Sequence, residues 1–586
     1  MRKGFALVSV LIMMVVLMSL LTAYFLLTRV ELGTTQASAR QTTGFYAAEA
    51  GLNLRAEEIR GKFLGYGRPA GTSPSPANPC QGSNLGSGDL ACKTYSLSGR
   101  TVRTYVVEPP GNPQSVKIPP GELYENLEAQ EYRYSLLSEA LGPDGQTEAV
   151  LEMVFKSRLV PLFQFAVFYN KDLEILPGPD MTLNGRVHTN GDLYLSTGAT
   201  LTIQGQVSTA GALYRGRKND SSCSGSVNVF RADSTPRGLD CNGGSRRLFA
   251  QKDVVDWGGR IQVGVNPVTV PAPEDLDPDP SKTYFSKANL RLVLDLHSGS
   301  PVVKVLQASG FDDTLATTNL SRCSGSISGK AVGSTYSFYN NREKRFIRML
   351  EVDLQALLDC LHNNLATRLD DFSNGGLIFH LSVLGPDSRG VNNYGVRIRN
   401  AARIAPTILG APRPKGLTIV SDQAVYVQGD YNRNTDWIPS AILADSLNLL
   451  SNKWDDTSSS LSLSKRTAAD TEVNAAFLAG TDTTGRTEGK GGQDQGEYNG
   501  GLENYPRLHE DWSNKTLTYR GSFVSLNQPR HVNGAWCGTG PSCNIYNPPV
   551  RLWSYDTRFS QGQLPPLSPR FVYLRQERFL RDFERP

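Results

Sequence analysis

Leu183-Asn184-Gly185-Arg186-Val187-His188-Thr189-Asn190-Gly191-Asp192-Leu193-Tyr194 is matched, 20 residues on, by Ile203-Gln204-Gly205-Gln206-Val207-Ser208-Thr209-Ala210-Gly211-Ala212-Leu213-Tyr214. The shared pattern is aliphatic-x-Gly-x-Val-x-Thr-x-Gly-x-Leu-Tyr. Apolar residues at alternate positions give a strand one buried face, and glycines mark corners between short strands. A period of this length suits one coil of a β-solenoid, with successive coils about 4.8 Å apart and joined by backbone hydrogen bonds. The competing reading is a β-sandwich with a chance repeat. Residues 417–428, 441–450 and 475–478 are further short β-like runs between Gly, Asp and Asn turns. Segments 215–253, 272–283, 308–345 and 480–502 are rich in Gly, Ser, Asp and charge and read as loops leaving the coils. Leu354, Leu358, Leu361, Leu365 and Leu369 step by three and four, which predicts one helix on or capping the solenoid.

The chain has 586 residues, with 56 Gly and 34 Pro. It is too long for one compact core and, at 39% hydrophobic, too apolar for a disordered protein. Lys and Arg number 60 against 56 Asp and Glu. A net charge of +4 therefore selects no partner, and an anionic one has to be met by a local patch.

Residues 5–28 are 24 consecutive uncharged positions, preceded by Arg2 and Lys3 and followed by Arg29. As a helix they span about 36 Å, enough to cross a hydrocarbon core of about 30 Å. The basic tip places the N-terminus in the cytoplasm and the remainder outside it. A cleaved secretory signal fits poorly, because no small-x-small site follows and a helical pattern continues. Phe45, Ala48, Leu52, Ala56, Ile59 and Phe63 form its amphipathic stripe, so one helix is expected over 5–63.

Basic residues, then Gly4, then Phe5 at the head of a long apolar helix resemble the class III signal of type IV pilins. Phe45-Tyr46-Ala47-Ala48-Glu49-Ala50-Gly51 resembles the block that closes the N-terminal region of PilX-type minor pilins. The resemblance implies cleavage by a prepilin peptidase between Gly4 and Phe5, and methylation of the new N-terminus. It implies 1–4 as leader, 5–28 as transmembrane and filament-core segment, and an α+β pilin or pseudopilin-like domain. Most pilins carry Glu at the fifth mature position, where this chain has Ser9. Large tip subunits typically share that departure, since a subunit that sits beneath no other has no use for a buried carboxylate. The alternative is a bitopic anchor that is never cleaved.

The expected fold is mainly β with one long N-terminal helix. Residues 64–161 form the first part of the pilin-like sheet, 162–545 an inserted β-solenoid, and 546–586 the return to the sheet. Strand signals in the first part are 94–107, 132–139 and 147–154, the last two flanking the turn Gly142-Pro143-Asp144-Gly145. The segment 571–583 is the returning strand.

No HExxH, GxxxxGK[ST], GxSxG or suitably placed GxGxxG occurs, and the six histidines lack metal-ligand spacing, so no enzyme, cofactor or metal is expected. The acidic tract Glu274-Asp275-Leu276-Asp277-Pro278-Asp279 lacks the glycine turn of a calcium loop and reads as solvated. Basic residues do cluster. Arg389, Arg397, Arg399, Arg403, Arg413 and Lys415 fall in 388–421, which holds no Asp or Glu, and strand alternation would put Arg397 and Arg399 on the solvent face. Arg215, Arg217, Lys218, Arg231, Arg246, Arg247 and Lys252 surround a cysteine pair. Arg342, Lys344, Arg345 and Arg348 are interleaved with Tyr339 and Phe346.

Guanidinium rows track phosphates without reading bases, and aromatics stack exposed bases. Similarity to competence-associated tip pilins implies sequence-neutral binding of extracellular DNA by these residues. It also implies partners among other minor pilins and the pilus filament, and a route from the inner membrane to the pilus tip. The alternative is an adhesive tip pilin or type II secretion pseudopilin whose solenoid grips glycan or protein. Charge reversal at Arg397 and Arg399 is expected to weaken all DNA sequences about equally.

Eight cysteines, an even number in an exported chain, imply disulfides. Proximity pairs Cys80 with Cys92, Cys223 with Cys241, Cys323 with Cys360 and Cys537 with Cys543, closing loops at up to about 3 kcal/mol each. Mass mapping of non-reduced peptides should return these four pairs, and any cross-pair overturns the assignment.

Overall fold

The computed structural model describes residues 3–64, 67–218, 220–363, 376–481, 501–526, 528–534 and 545–581. The chain forms two units: Met1–Val116 with Ala129–Leu159 and Val572–Pro586, and Lys117–Glu128 with Val160–Phe571.

In the first unit Lys3–Leu64 is one helix of 62 residues, about 93 Å long at 1.5 Å per residue. Its large apolar side chains from Phe5 to Leu32 are exposed, and the span starting at Phe5 has the length and hydropathy of a membrane crossing. Further along, all six residues of the expected stripe pack on a sheet: Ala48, Leu52, Ile59 and Phe63 are buried, with Phe45 and Ala56 at the margin. Each large side chain so buried contributes roughly 1.5–3 kcal/mol. Gly44 and Gly51 mark close approaches, since a Cβ would stand 2.5 Å from Glu148 Cβ at the first and 2.6 Å from Val102 Cγ1 at the second.

The sheet runs in the order Lys93–Leu97, Arg100–Val107, Glu128–Leu141, Thr147–Pro161, Arg570–Arg581. Its first hairpin turns through Ser98 and Gly99, both at positive φ, as a two-residue turn matched to strand twist requires. The Gly142–Gly145 turn is closed by Gly145 N–H donating to Gly142 O at 2.9 Å. Arg55 donates from the helix to the carbonyls of Asp89 (2.6 Å) and Ala91 (2.8 Å), in the loop stapled by the Cys80–Cys92 disulfide.

The second unit is built from stacked parallel strands. In the quoted repeat Val187 pairs with Val207 and Thr189 with Thr209, while Leu193 pairs with Leu213 and Tyr194 with Tyr214. The preceding strands add Val167 beneath Val187 and Leu173 beneath Leu193. Glycine is needed where successive copies of the repeat touch: a Cβ on Gly205 would collide with the Gly185 carbonyl. Longer strands follow. Arg348–Asp353, Tyr394–Ala401, Ala424–Tyr431 and Ser446–Leu450 stack in one row. A second row holds Leu290–Asp295, Leu377–Leu384, Leu417–Val420, Ser440–Ala444, Thr471–Ala479 and Thr516–Ser525.

Thr516–Ser525 then pairs in parallel with Phe165–Tyr169, so the last strands of this row support the first strands of the unit. The chain thus joins the stack in its middle. It leaves there too, because Val550–Tyr555 pairs with Thr516–Gly521 and Leu162 N–H donates to Pro569 O at 2.9 Å. Antiparallel strands close the outer rows: Pro236–Leu239, Arg247–Phe249, Val302–Val305 and Val332–Thr335.

Three expectations shift. The returning segment 546–586 divides, because the backbone groups of 550–555 are taken by the stack and only Arg570–Arg581 joins the sheet. Residues 117–128, expected in the pilin-like sheet, belong to the second unit. The leucine helix is Leu354–Asn363, with Leu365 and Leu369 outside the described residues. The pairs Cys80–Cys92, Cys223–Cys241 and Cys323–Cys360 are formed, whereas Cys537 and Cys543 lie outside the described residues.

Gly51→Leu should destabilise the first unit by about 1–3 kcal/mol through overpacking against Val102. Gly61→Leu, with open space around its Cβ, should be neutral or slightly stabilising. Thermal unfolding of the two full-length variants in detergent compares them.

Candidate nucleic-acid interface

The basic clusters divide by burial. Arg397 is 3% exposed and lies opposite Glu351 in strand register. Its Nε donates to Glu351 Oε1 at 2.6 Å, and its two terminal nitrogens hold Asp456 at 2.6 and 2.8 Å. The expected alternation is real, since Val396 and Ile398 face inward and are fully buried. The opposite face is not solvent, because residues 337–341 and 456–459 lie across it, linked by Ser337 Oγ donating to Asp456 (2.7 Å) and Asn341 donating to Ser459 O (2.6 Å). The solvent-face expectation for Arg397 is therefore corrected to a buried ion triad. Arg399 is half-buried and donates to Ser326 O at 3.1 Å.

Arg389, Arg403, Arg413 and Lys415 are exposed. Arg403 stands 3.3 Å from Asp436, and Arg413 donates to the Asp436 carbonyl oxygen. In the same loop, Asp359 accepts from the backbone N–H of Thr407 (2.5 Å) and Ile408 (3.3 Å), which fixes the loop beside the leucine helix.

In the second cluster Arg215 is buried and donates to four carbonyls: Leu195, Leu239, Ser224 and Gly225, at 2.6–3.1 Å. It is a latch for the cap around Cys223–Cys241, not a phosphate ligand. Lys218 is nearly buried on Asp172 at 2.6 Å, and Arg217 pairs with Asp220 at 3.1 Å. Arg246 lies over Tyr214 (5.1 Å) and Tyr194 (5.6 Å), whose rings stack at 4.8 Å. Arg231 pairs with Asp233 at 3.6 Å. Arg247 and Lys252 are exposed, with Arg247 over Phe249 at 4.5 Å.

In the third cluster Arg342 is buried, and Arg345 is half-buried, donating to Glu343 O at 3.2 Å. Lys344 and Arg348 are exposed. Arg348 lies 4.8 Å from the centre of the Tyr336 ring, which sequence reading passed over. Tyr336 and Phe346 are 53% and 42% exposed, 5.9 Å apart. Strand alternation would have put Tyr336 on the same face as the buried Phe338, but residues 336–338 lie between two strands, so periodicity gave no signal for the exposed Tyr336.

Among the described residues no cluster of His, Cys, Asp and Glu is suited to a metal ion. Asp277 of the acidic tract is held by Arg530 at 2.6 Å, so this segment is ion-paired and not merely solvated. Burial pushes Asp422 up to about 6, opposed by the hydroxyl of Ser382 at 2.5 Å, and Glu510 up to about 7, opposed by Ser451. All four residues are buried, so these groups serve the stack.

Burial raises the Asp456 carboxyl, but the hydrogen bonds and charge of Arg397 outweigh it and hold the group below its usual 3.8. A lowered folded-state value gives stability that is present above the unfolded value and lost as pH falls through the folded one. Arg397→Gln should therefore cost about 3–5 kcal/mol at neutral pH by stranding Glu351 and Asp456. It should also flatten the loss of stability on the acid side of about pH 4, as followed by denaturant unfolding across pH.

No protein-family model matches the chain, and no curated protein matches it. Among solved structures, the competence-associated pilin ComZ from Thermus thermophilus aligns over 93% of this chain and 98% of its own, at 13% identity and a TM-score of 0.26.

Proposed function

We propose that the protein is a non-enzymatic, pilin-like subunit that binds extracellular DNA without sequence preference at the tip of a type IV pilus. In this reading a prepilin peptidase cuts between Gly4 and Phe5, and the apolar helix first anchors the subunit in the inner membrane and then enters the filament beside other minor pilins. Ser9 supports a tip place: its hydroxyl donates to its own helix at Phe5 O (2.9 Å), leaving no carboxylate to be matched inside an apolar filament. The stacked rows of the second unit serve as coils of a β-solenoid, a rigid platform for side chains.

The observation that carries the reading is the acid-free segment 388–421, which exposes Arg389, Arg403, Arg413 and Lys415. Cations fixed on a rigid stack neutralise phosphates and release counterions whatever the base sequence. Lys344, Arg348, Tyr336 and Phe346 supply the cation and aromatic pairing that suits unstacked bases. The buried Arg215, Arg342 and Arg397 are left out of the interface.

Gel shift of the exported part, lacking residues 1–28, with several unrelated duplexes at low salt should show equal retention, and no retention sinks the proposal. Replacing Arg403, Arg413 and Lys415 by Gln should weaken all sequences alike and reduce the slope of log affinity against log salt by about 2.7. An unchanged slope moves the interface away from this loop.

A further inference from the structure

Residues 117–128 and 264–268 fold across the outer face of the row formed by Phe165–Tyr169, Arg186–Thr189, Val207–Thr209 and Ile261–Val263, where they bound a cavity of about 330 Å³. Planar polar side chains from neighbouring strands line it in a relay, with Gln262 in register with Ser208 and His188. Arg186 Nη1 donates to Gln206 Oε1 (3.2 Å), Gln206 Nε2 to Gln262 Oε1 (2.9 Å), and Gln262 Nε2 to Glu125 Oε1 (3.2 Å). Glu125 Oε2 is fixed in turn by the Gly121 N–H at 2.6 Å.

His188 is equally determined. Asn190 Oδ1 accepts from Val268 N–H at 2.7 Å and from His188 Nε2 at 3.1 Å, which leaves Nδ1 as acceptor for the Ser208 hydroxyl at 2.8 Å. Phe165 and Leu127, with the Tyr124 ring and Val265, provide apolar wall. The relay uses one donor of the guanidinium and one donor of each amide, so further N–H groups and lone pairs remain in fixed directions.

That combination selects a ligand. Arg186 is accompanied in the lining by Glu122 and Glu125, so no positive excess is offered to an anion. Adjacent hydroxyl groups, each donor and acceptor at once, match a row of guanidinium, amide and carboxylate groups, and a pyranose also presents a C–H face to an aromatic ring. A cleft of about 640 Å³ shares Arg186, Gln206, Gln262 and Glu125 and continues past Asn184, Gln204 and Thr557. We propose that the cavity and cleft bind a neutral saccharide, one sugar residue seated against Gln206 and Gln262 with further residues along the cleft. The site is independent of the DNA reading.

The test is saturation-transfer NMR on the full chain in detergent, with glucose, galactose, mannose, N-acetylglucosamine and cellobiose as probes. At least one sugar should show transfer. Ser208→Trp, which fills the cavity, should abolish it, and Gln206→Ala should weaken it by about tenfold. Binding should be flat between about pH 5 and 8, because burial lowers His188 to about 4 and keeps it neutral. Absence of transfer from every sugar, transfer unchanged in both variants, or displacement by inorganic phosphate each overturns the proposal.

Discussion

Phe523 pairs with Val167, Val524 with Phe168 and Ser525 with Tyr169, and the second unit depends on this short parallel seam. Residues more than 350 positions apart supply its two sides, with Ser522 Oγ adding a bond to Phe165 O across a sequence separation of 357. Without the seam each half of the stack would present an open row of N–H and C=O groups, and an unpaired buried polar group costs about 1–3 kcal/mol. With it, the chain arrives and departs side by side, which is what a long insertion needs if it is to leave a host sheet undisturbed. Contacts of such separation close slowly, so the seam is expected to form late, after the more local strand pairs on either side.

The distribution of arginine follows from the same stacking. A strand surface is the natural place for segments that leave the stack to fold back, and these carry carbonyls and carboxylates with them. Arg215 ends among carbonyls of the cap, and Arg397 between Glu351 and Asp456. In such places a guanidinium works as a connector with five donors in a fixed fork. Cations on outer turns, such as Arg389 and Lys344, remain exposed.

Much of the architecture could be read from local pattern. The apolar helix, its stripe from Phe45 to Phe63, the turn at Gly142–Gly145 and the 20-residue register of Val187 on Val207 are all short-range signals. Two things were not legible for a physical reason. Which segment covers a strand face depends on contacts such as Asp456 with Arg397, 59 positions away, and no periodicity reports them. The pairing of Val550–Tyr555 with the stack is likewise a competition between two sheets for one strand, decided by long-range hydrogen bonds. The cavity lining was partly visible, because Arg186, His188, Gln206 and Ser208 are the variable positions of the repeat and point outward. Its other wall, Glu122 to Glu125, lies some 60 residues upstream of Arg186 and nothing local links the two.

The antiparallel strands that end the outer rows have a colloidal consequence. A stack of parallel strands is a template for its own kind, and a second molecule could extend it from either end. Pro236–Leu239 reverses direction at one such margin, begins with a residue lacking an N–H, and is pinned by the Cys223–Cys241 disulfide just outside its end. The least conspicuous strands of the unit thus protect the stack against growing into a fibre.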